Sequence, residues 1–333
     1  MKAIVMTAPG DPTVLHLQTC PEPELRHATD VLVHLKASGL NPIDTKLRSR
    51  GTFYPDAMPA ILGLDGAGVV EAIGAQVRQF HIGDEVYFCN GGLGGQPGTY
   101  AEYAVVDEAY LAHKPATLSF AEAAAVPLAA ITAWEALFDR ARLQPGQTVW
   151  ITAGAGGVGH LAIQLAKQQG ATVCTTVSTP EKAAFARQLG ADHVILYTTT
   201  DPVQAVLDWT QGNGVAVSFD TVGGAVLSQC FAATQIYGDV VTLLAPAADT
   251  DWKTARDRNL RVSFELMLTP LLQSLKAAQS AQAEILRHCA RAIDQGELQI
   301  HLAQSFPLDQ AAAAHQQLEA GGFLGKLALT IAE

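Results

Sequence analysis

A run of glycines near the middle of the chain has the spacing of a phosphate-binding turn. Residues 154–159 read Gly-Ala-Gly-Gly-Val-Gly, after the apolar run Thr148–Ile151 and before a segment of helical spacing. Gly154 permits a tight turn, Gly156 admits a pyrophosphate close to the backbone, and Gly159 lets helix and strand pack closely. Free N–H groups at the helix start would bind the anion. The motif therefore predicts a dinucleotide site, with a ligand-free glycine turn as the alternative.

The segment after the next strand decides which dinucleotide fits. A site for NAD carries Asp or Glu there, which accepts a hydrogen bond from the 2′-hydroxyl of the ribose. After the β-branched run Thr172–Val177 this chain has Ser178, with Lys182 four residues further on. A missing carboxylate removes repulsion of a 2′-phosphate, and Lys182 can pair with that phosphate. These residues predict NADPH over NADH, although Glu181 and Lys182 would also suit the solvated first turn of a capped helix.

The pattern of the sequence changes near residue 125, which indicates two domains. Before it, short apolar runs such as 31–35 alternate with Gly and Pro, which is typical of a barrel-like β domain. From residue 129 onward, apolar strands alternate with helices, which predicts a parallel sheet covered on both faces. The tail from Leu298 returns to short strands. The sequence thus predicts an α/β fold with a β domain and a doubly wound domain.

Composition and charge exclude several classes of protein. The 333 residues are 49% hydrophobic and 16% charged, which is not the composition of a disordered chain. The net charge of −11 disfavours nucleic acid and anionic membranes as partners. Because we find neither a signal peptide nor a membrane-spanning pattern, we expect a cytoplasmic protein.

Short motifs occur along essentially the whole chain in a fixed order. They lie at 41–45, 62–70, 83–86, 100–103, 126–128, 132–134, 154–159, 164–167, 189–192, 220–224 and 325–326. Together they resemble the medium-chain dehydrogenase/reductase superfamily, and within it the zinc-independent quinone oxidoreductase branch. The resemblance implies a GroES-like catalytic domain of β-barrel type, formed by residues 1–125 and 296–333, and an inserted Rossmann domain, 126–295, that binds NADPH. It also implies an active site in the cleft and a homodimer paired through a late strand near 261–264.

The resemblance bears directly on whether a metal is present. Zinc-containing relatives carry Cys where this chain has Asn41, and Gly-His-Glu where it has 63–65, Gly-Leu-Asp. A catalytic zinc needs three protein ligands, such as Cys, His or a carboxylate. Asn41, Leu64 and the segment 126–128 supply none of these. Cys89 stands alone where a structural-zinc lobe has four cysteines. We therefore expect no metal.

Without a Lewis acid, the favoured acceptors are those that spread negative charge by conjugation. The resemblance therefore implies an NADPH-dependent oxidoreductase that transfers hydride to a quinone or an activated alkene, such as an α,β-unsaturated carbonyl compound. The alternative is an NADPH-binding protein of the same fold with a structural or regulatory role and little catalysis. No general acid is evident, so the proton is expected from solvent.

Four residues are candidates for the catalytic site. Asn41 stands where relatives have the zinc thiolate, so its amide is a candidate donor to a developing oxyanion, with turn capping as the alternative. Asp44 is expected mainly to cap a short helix predicted over 42–50. Lys46 stands where quinone reductases often have Tyr, which predicts a more polar pocket. Thr132 resembles the residue that meets the nicotinamide carboxamide.

The remaining candidates would bind the dinucleotide. Tyr197 resembles an adenosine-ribose contact, and Lys326 in the final Gly-Lys pair would approach the cofactor. Phe264 belongs to a stretch that corresponds to contacts with the nicotinamide end, with a core position as its alternative. The complete set is Gly154, Gly156, Gly157, Val158, Gly159, Ser178, Lys182, Tyr197, Leu244, Ala245, Phe264, Leu266 and Lys326.

Overall fold

A computed structural model of the protein describes residues 1–331. The strands in this part of the chain are β1 (Lys2–Met6), β2 (Leu15–Thr19), β3 (Asp30–Gly39), β4 (Ala60–Ile61), β5 (Asp65–Ile73), β6 (Glu85–Cys89), β7 (Tyr103–Asp107), β8 (Ala112–His113), β9 (Thr148–Ile151), β10 (Thr172–Val177), β11 (His193–Leu196), β12 (Val215–Asp220), β13 (Thr234–Thr242), β14 (Arg261–Phe264), β15 (Leu302–Pro307) and β16 (Lys326–Thr330). The helices are α1 (Pro42–Arg50), α2 (Phe120–Ala124), α3 (Pro127–Trp134), α4 (Gly159–Gln168), α5 (Pro180–Gln188), α6 (Pro202–Trp209), α7 (Ala225–Ala233), α8 (Trp252–Asp257), α9 (Thr269–Leu272), α10 (Lys276–Asp294) and α11 (Ala311–Ala320).

These elements form two compact units. The first unit comprises residues 1–128, 268–296 and 300–331, and the second comprises 129–267 and 297–299. Residues 268–296 therefore pack with the first unit, although the sequence analysis groups most of them with the Rossmann domain. This division describes which residues pack together and does not test the predicted domain boundaries, which stay a prediction.

The second unit is built around a six-stranded parallel sheet. Its strand order is β11-β10-β9-β12-β13-β14, so the order reverses between β9 and β12. Counted from β9, this is the order 3-2-1-4-5-6 of a doubly wound dinucleotide-binding sheet. All six residues of β12 are buried, as a central strand covered on both faces requires. The predicted Rossmann-type fold is confirmed.

An apolar core lies between this sheet and the helices α6, α7 and α8. Trp150 of β9 and Phe231 of α7 are among its fully buried members. Cys174 and Cys230 are buried in the same cluster, and burial raises the pKa of both thiols above the ordinary value. These two cysteines therefore pack as small apolar side chains.

The first unit is a β structure in which a long central strand holds the two ends of the chain together. Its main sheet has the order β15-β16-β3-β5-β6-β8, with β7 also paired to β3, and a smaller sheet has the order β2-β1-β4. Strand β3 pairs antiparallel with β5, β7 and β16. The tail of the chain thus completes the GroES-like sheet, as the resemblance implied.

Helix α10 packs with the first unit through specific polar contacts. The Tyr87 hydroxyl donates to the carbonyl of Leu286 at 2.5 Å. The N–H groups of Ala116 and Thr117 donate to the Asp294 carboxylate at the end of the helix, at 3.1 and 3.0 Å.

Neither α10 nor any other helix among residues 1–331 has the length and apolar character needed to span a bilayer.

Helix α1 forms where the sequence predicts it, over Pro42–Arg50. It begins with a reciprocal cap, because the N–H of Asn41 donates to the Asp44 carboxylate at 2.8 Å and the N–H of Asp44 donates to the Asn41 carbonyl at 2.9 Å. The other end is tied to α11, since the buried Arg48 guanidinium donates to both Glu319 carboxylate oxygens at 3.2 and 2.6 Å.

We expect the Arg48–Glu319 pair to stabilise the first unit measurably. Glu319→Gln should lower the free energy of unfolding by about 1–3 kcal/mol, because it leaves a buried guanidinium without its charge partner while the half-exposed site is partly solvated. Urea denaturation measures the loss. The matched control is Glu284→Gln, which removes the exposed partner of Arg287 and should cost less than about 0.5 kcal/mol. Equal losses in the two variants would contradict a special role for Arg48.

Candidate functional site

The parallel sheet gathers the dinucleotide candidates of the second unit at one edge. Parallel strands end at the same edge of a sheet, and ligands of open α/β sheets bind there. The glycine-rich turn follows β9, which is next to the point where the strand order reverses. The residues that end or follow the neighbouring strands are Ser178, Tyr197, Leu244, Ala245 and Phe264. These residues therefore lie along the same edge of the sheet, at the carboxyl ends of its strands.

Two positions of the turn have room only for glycine. A Cβ at Gly154 would lie 2.1 Å from the Thr175 hydroxyl oxygen, and a Cβ at Gly159 would lie 2.3 Å from the Ala153 carbonyl oxygen. Gly156 is less crowded, since its nearest neighbour, the same carbonyl, would be 3.2 Å away. The close approach of the turn to β10 and to the start of α4 explains two of the three glycines.

The turn also leaves backbone donors free for an anion. Helix α4 begins at Gly159. Among residues 1–331, the N–H groups of Gly157, Val158 and Gly159 have no hydrogen-bond acceptor, whereas that of Gly156 donates to Ala153 at 2.9 Å. Free N–H groups at the start of a ten-residue helix suit a pyrophosphate, so the residues present fit a dinucleotide.

The segment that follows β10 combines a helix cap with a lysine that makes no ion pair within residues 1–331. The Thr179 hydroxyl accepts from the N–H of Lys182 at 3.2 Å and so caps α5. The Lys182 ammonium makes no ion pair within residues 1–331, and no carboxylate ends β10. Tyr197 is adjacent, because its N–H donates to the carbonyl of Val177 at 3.2 Å, and its side chain is 52% exposed. The helix cap at Thr179 therefore leaves the Lys182 side chain available, so the capping role and the phosphate-binding role predicted for this segment are compatible.

Asp220, at the end of β12, organises the loops on the other side of the turn. One carboxylate oxygen accepts from the N–H groups of Val222 and Gly223 at 3.0 and 2.9 Å, and the other accepts from the Thr242 hydroxyl at 2.9 Å. A Cβ at Gly223 would lie 2.8 Å from the Leu244 side chain, so glycine also lets the two loops approach. Sequence reasoning missed this role, although a carboxylate that ends an apolar strand before two glycines is a usable signal.

Phe264 and Leu266 are 53% and 51% exposed. The alternative that placed Phe264 in the core is therefore wrong. Met267 is buried, and so is Thr132 in α3. The structure thus leaves two apolar side chains of the predicted nicotinamide segment open to solvent.

In the first unit, buried polar side chains surround Asn41. The Asn41 amide nitrogen donates to an Asp65 carboxylate oxygen at 2.9 Å, and its amide oxygen accepts from the Lys326 ammonium. Lys326 also donates to the Leu40 carbonyl at 2.7 Å, and the second Asp65 oxygen accepts from the N–H of Leu128 at 2.9 Å. Lys326, a predicted cofactor contact, is therefore buried against Asn41, and its contact with a cofactor stays a prediction.

A second branch of the same cluster runs through Asp44. One oxygen of this carboxyl accepts from the Tyr100 hydroxyl at 3.2 Å, and that hydroxyl lies 3.1 Å from Nε2 of His315. The other oxygen is buried and has no partner within residues 1–331. The Asn41 cluster thus comprises Asn41, Asp44, Asp65, Tyr100, His315 and Lys326. Sequence reasoning missed Tyr100 and His315, which carry no motif that marks them as partners of Asp44.

Burial shifts the charges of the Asn41 cluster toward neutrality. Desolvation raises the pKa of Asp44 to about 7, with hydrogen bonds and Lys326 opposing the rise. Desolvation also raises the pKa of Asp65 and lowers that of Lys326, while the attraction between them opposes both shifts. The pKa of His315 falls to about 3 through burial and the nearby Arg48 charge, so His315 is neutral.

The donor set of the first unit does not fit a catalytic zinc. Leu64 is fully buried and has no ligand atom, and the Asn41 oxygen already faces an ammonium. Within residues 1–331, no three His, Cys, Asp or Glu side chains are grouped to hold a metal ion. Lys46, on the same helix as Asp44, is half-buried and adds a positive charge. A tetrahedral zinc site needs a donor set that these residues do not provide.

Comparisons with known proteins agree with this fold. Residues 27–116 match the family model described as alcohol dehydrogenase GroES-like domain, and 189–329 match the model described as zinc-binding dehydrogenase. A quinone oxidoreductase of Pseudomonas aeruginosa is 33% identical over 331 residues, which cover 98% of this chain and 99% of that protein. The chain therefore belongs to the medium-chain dehydrogenase/reductase superfamily, in its quinone oxidoreductase-like branch.

Solved structures extend the comparison to the cofactor. The Escherichia coli quinone oxidoreductase complexed with NADPH is 29% identical, with a TM-score of 0.87 over 99% of this chain and 100% of that one. An NAD-dependent alcohol dehydrogenase is 32% identical, with a TM-score of 0.90 and full coverage of both chains. The protein is thus an oxidoreductase of this superfamily, and its relatives use either dinucleotide.

The raised pKa of Asp44 predicts a specific dependence of stability on pH. Because the folded-state pKa of about 7 lies above the ordinary value of 3.8, this group favours folding at low pH, and the contribution is lost as the pH rises through that window. Asp44→Asn keeps an acceptor for the Asn41 N–H and cannot ionise. The variant should therefore gain stability relative to wild type as the pH rises, by up to about 1.4 kcal/mol per pH unit.

Urea denaturation across the same window measures this difference. The control is Asp251→Asn, measured in the upper part of the window between about pH 5 and 7, because hydrogen bonds from Thr254 lower the pKa of Asp251 and its contribution to stability changes only at lower pH. That variant should differ from wild type by a constant amount. Parallel stability curves for wild type and Asp44→Asn would show that Asp44 does not titrate there.

Proposed function

We propose that the protein is a zinc-independent, NADPH-dependent reductase that transfers hydride to a quinone or to an α,β-unsaturated carbonyl compound. The observation that carries the proposal is Asn41, which stands in the place of a zinc ligand and is held between an ammonium and a carboxylate. An amide in that place donates hydrogen bonds and cannot act as a thiolate ligand. The similarity to quinone oxidoreductases supports the same class of acceptor.

The choice of NADPH is supported by the ribose end of the parallel sheet. Ser178 follows β10 without a neighbouring carboxylate, and Lys182 is available to pair with a 2′-phosphate. The free N–H groups of 157–159 would hold the pyrophosphate, and Tyr197 would contact the adenosine ribose. The nicotinamide end would be held by Thr132 and by two segments, one around Leu244 and Ala245 and the other around Phe264 and Leu266. Bound NADPH supplies the hydride.

The residues of the first unit would then act on the acceptor. Negative charge develops on the carbonyl oxygen as the hydride is accepted, and an Asn41 N–H donates to that oxygen. Conjugation in a quinone or enone spreads the same charge, so a Lewis acid is not required. The buried groups of the Asn41 cluster offer no acid in contact with solvent, and the proton comes from water. Lys46 makes the pocket more polar than a tyrosine would.

The assembly and location belong to the same proposal. Strand β14 is an edge strand of the six-stranded sheet, so its outer backbone groups have no strand partner within residues 1–331. An exposed sheet edge invites pairing with an identical edge, which supports a homodimer joined through β14. We place the protein in the cytoplasm, with a small quinone or enone as its substrate and no nucleic acid or membrane as partner.

A single assay tests the reaction. Purified protein is mixed with NADPH or NADH and with benzoquinone or methyl vinyl ketone, and absorbance of the reduced nicotinamide is followed after subtraction of the uncatalysed rate. We expect oxidation of NADPH, much slower oxidation of NADH, and no effect of EDTA. Faster turnover with NADH would overturn the cofactor, and loss of activity with EDTA would overturn zinc independence. Tight NADPH binding without turnover would favour the binding-protein alternative.

Cofactor choice should depend on Lys182 and Ser178. Lys182→Ala should raise the KM for NADPH about ten-fold, because a charge-assisted contact with the 2′-phosphate is worth about 1.4 kcal/mol, and should leave the KM for NADH unchanged. Ser178→Asp should favour NADH by repelling the phosphate and accepting from the 2′-hydroxyl. Lys253→Ala removes the same charge from exposed α8 and serves as the control. An equal loss with both dinucleotides would assign Lys182 a structural role only.

A further inference from the structure

The orientation of the Asn41 amide is determined by its two charged neighbours. A lysine ammonium only donates hydrogen bonds, and an ionised carboxylate only accepts them. The amide oxygen therefore faces Lys326, and the amide nitrogen faces Asp65 at 2.9 Å. A flipped amide would place donor against donor at Lys326 and oxygen against oxygen at Asp65. Asn41 thus has a single orientation.

The three side chains are held rigidly, because each comes from a different buried element. Asn41 precedes α1, Asp65 begins β5 and Lys326 begins β16, and all three residues are less than 5% exposed. Lys326 is fixed a second time by the Leu40 carbonyl at 2.7 Å, and Asp65 by the N–H of Leu128 at 2.9 Å. Neither charge can turn away from the amide without losing another hydrogen bond in a buried site.

One hydrogen of the Asn41 amide group is not used in a hydrogen bond to the described residues. The nitrogen carries two hydrogens, and among residues 1–331 only Asp65 accepts from it. Because the amide is planar, fixing its oxygen and one hydrogen also fixes the direction of the second hydrogen. The ammonium on the amide oxygen polarises the group and makes that hydrogen a stronger donor.

We infer that Lys326 and Asp65 are positioning residues that act through Asn41, holding its free N–H toward the acceptor oxygen on which negative charge develops. The inference rests on the proposed function. Without Lys326 the amide loses the ammonium that polarises it and one of the two contacts that fix its orientation. Lys326 and Asp65 would therefore influence the hydride-transfer step more than the binding of NADPH.

The test compares two buried lysines of the first unit. Lys326→Met should lower kcat with methyl vinyl ketone about 10- to 100-fold, which is the usual effect of removing a group that orients a catalytic residue. The KM for the ketone and the Kd for NADPH, measured by fluorescence, should stay within about two-fold of the wild-type values. Lys326 is inferred to affect the transition state and not the binding of either ligand in the ground state. Lys114→Met is the matched control, because Lys114 is also buried, donates to the carbonyls of Pro115 and Leu118, and pairs with Glu85 at 3.1 Å.

A double-mutant cycle separates positioning from a general structural role. If Lys326 acts through Asn41, Lys326→Met should lower kcat no further in a background that already carries Asn41→Leu, so the two effects are not additive. A loss of folding would give additive damage, and Lys114→Met would show it too. Asp65→Asn keeps the size of the side chain and should lower kcat in the same direction if Lys326→Met does not fold.

The outcomes distinguish this inference from the proposed function. Wild-type protein that oxidises no NADPH with either acceptor overturns the proposed function, and the inference with it. Active wild type with unchanged kcat in Lys326→Met, or additive losses in the cycle, overturns the inference alone. A rise in the Kd for NADPH as large as the loss of kcat would assign Lys326 to the cofactor and also overturn it.

Discussion

The need to pair buried charges determines how the first unit is assembled. An ammonium and two carboxyl groups lie out of contact with water around Asn41, and each isolated charge would cost several kcal/mol there. Each charge therefore needs partners, and the fold supplies them from distant segments. Lys326 and Asn41 are 285 residues apart in the sequence and share a hydrogen bond. The return of the tail as β16 beside β3 is what brings that ammonium to the start of α1.

The second unit depends on a different constraint, the common direction of its six strands. Parallel strands deliver their carboxyl ends to one edge, and there the free N–H groups of the glycine-rich turn lie beside Ser178 and the loop that Asp220 organises. The same fold serves relatives with either dinucleotide and relatives described as zinc-binding, so the fold does not select the chemistry. In the proposed function, the chemistry depends on a few side chains at the carboxyl ends of the parallel strands and around Asn41.

Much of the architecture was predictable because it follows from local patterns. The apolar runs 148–151 and 172–177 correctly predicted β9 and β10, and the Pro42–Arg50 helix formed as expected. The Asp44 cap was also predictable, since capping depends on residues three apart. The partners of Asp44 were not predictable, because Tyr100 and His315 approach from other elements.

By itself, the sequence determined the class of fold and predicted the glycine-rich turn and the roles of Ser178 and Lys182, because periodicity, glycine spacing and capping are local properties of a chain. The other candidate dinucleotide residues were implied by the family resemblance. The same resemblance implied that Asn41 and Leu64 stand where zinc-containing relatives have ligands. Only the tertiary structure decided that Lys326 lies against Asn41, that Asp65 holds the other side of the amide, and that Phe264 is half exposed. Strand order and burial create these contacts between residues far apart in sequence, and no local pattern encodes them.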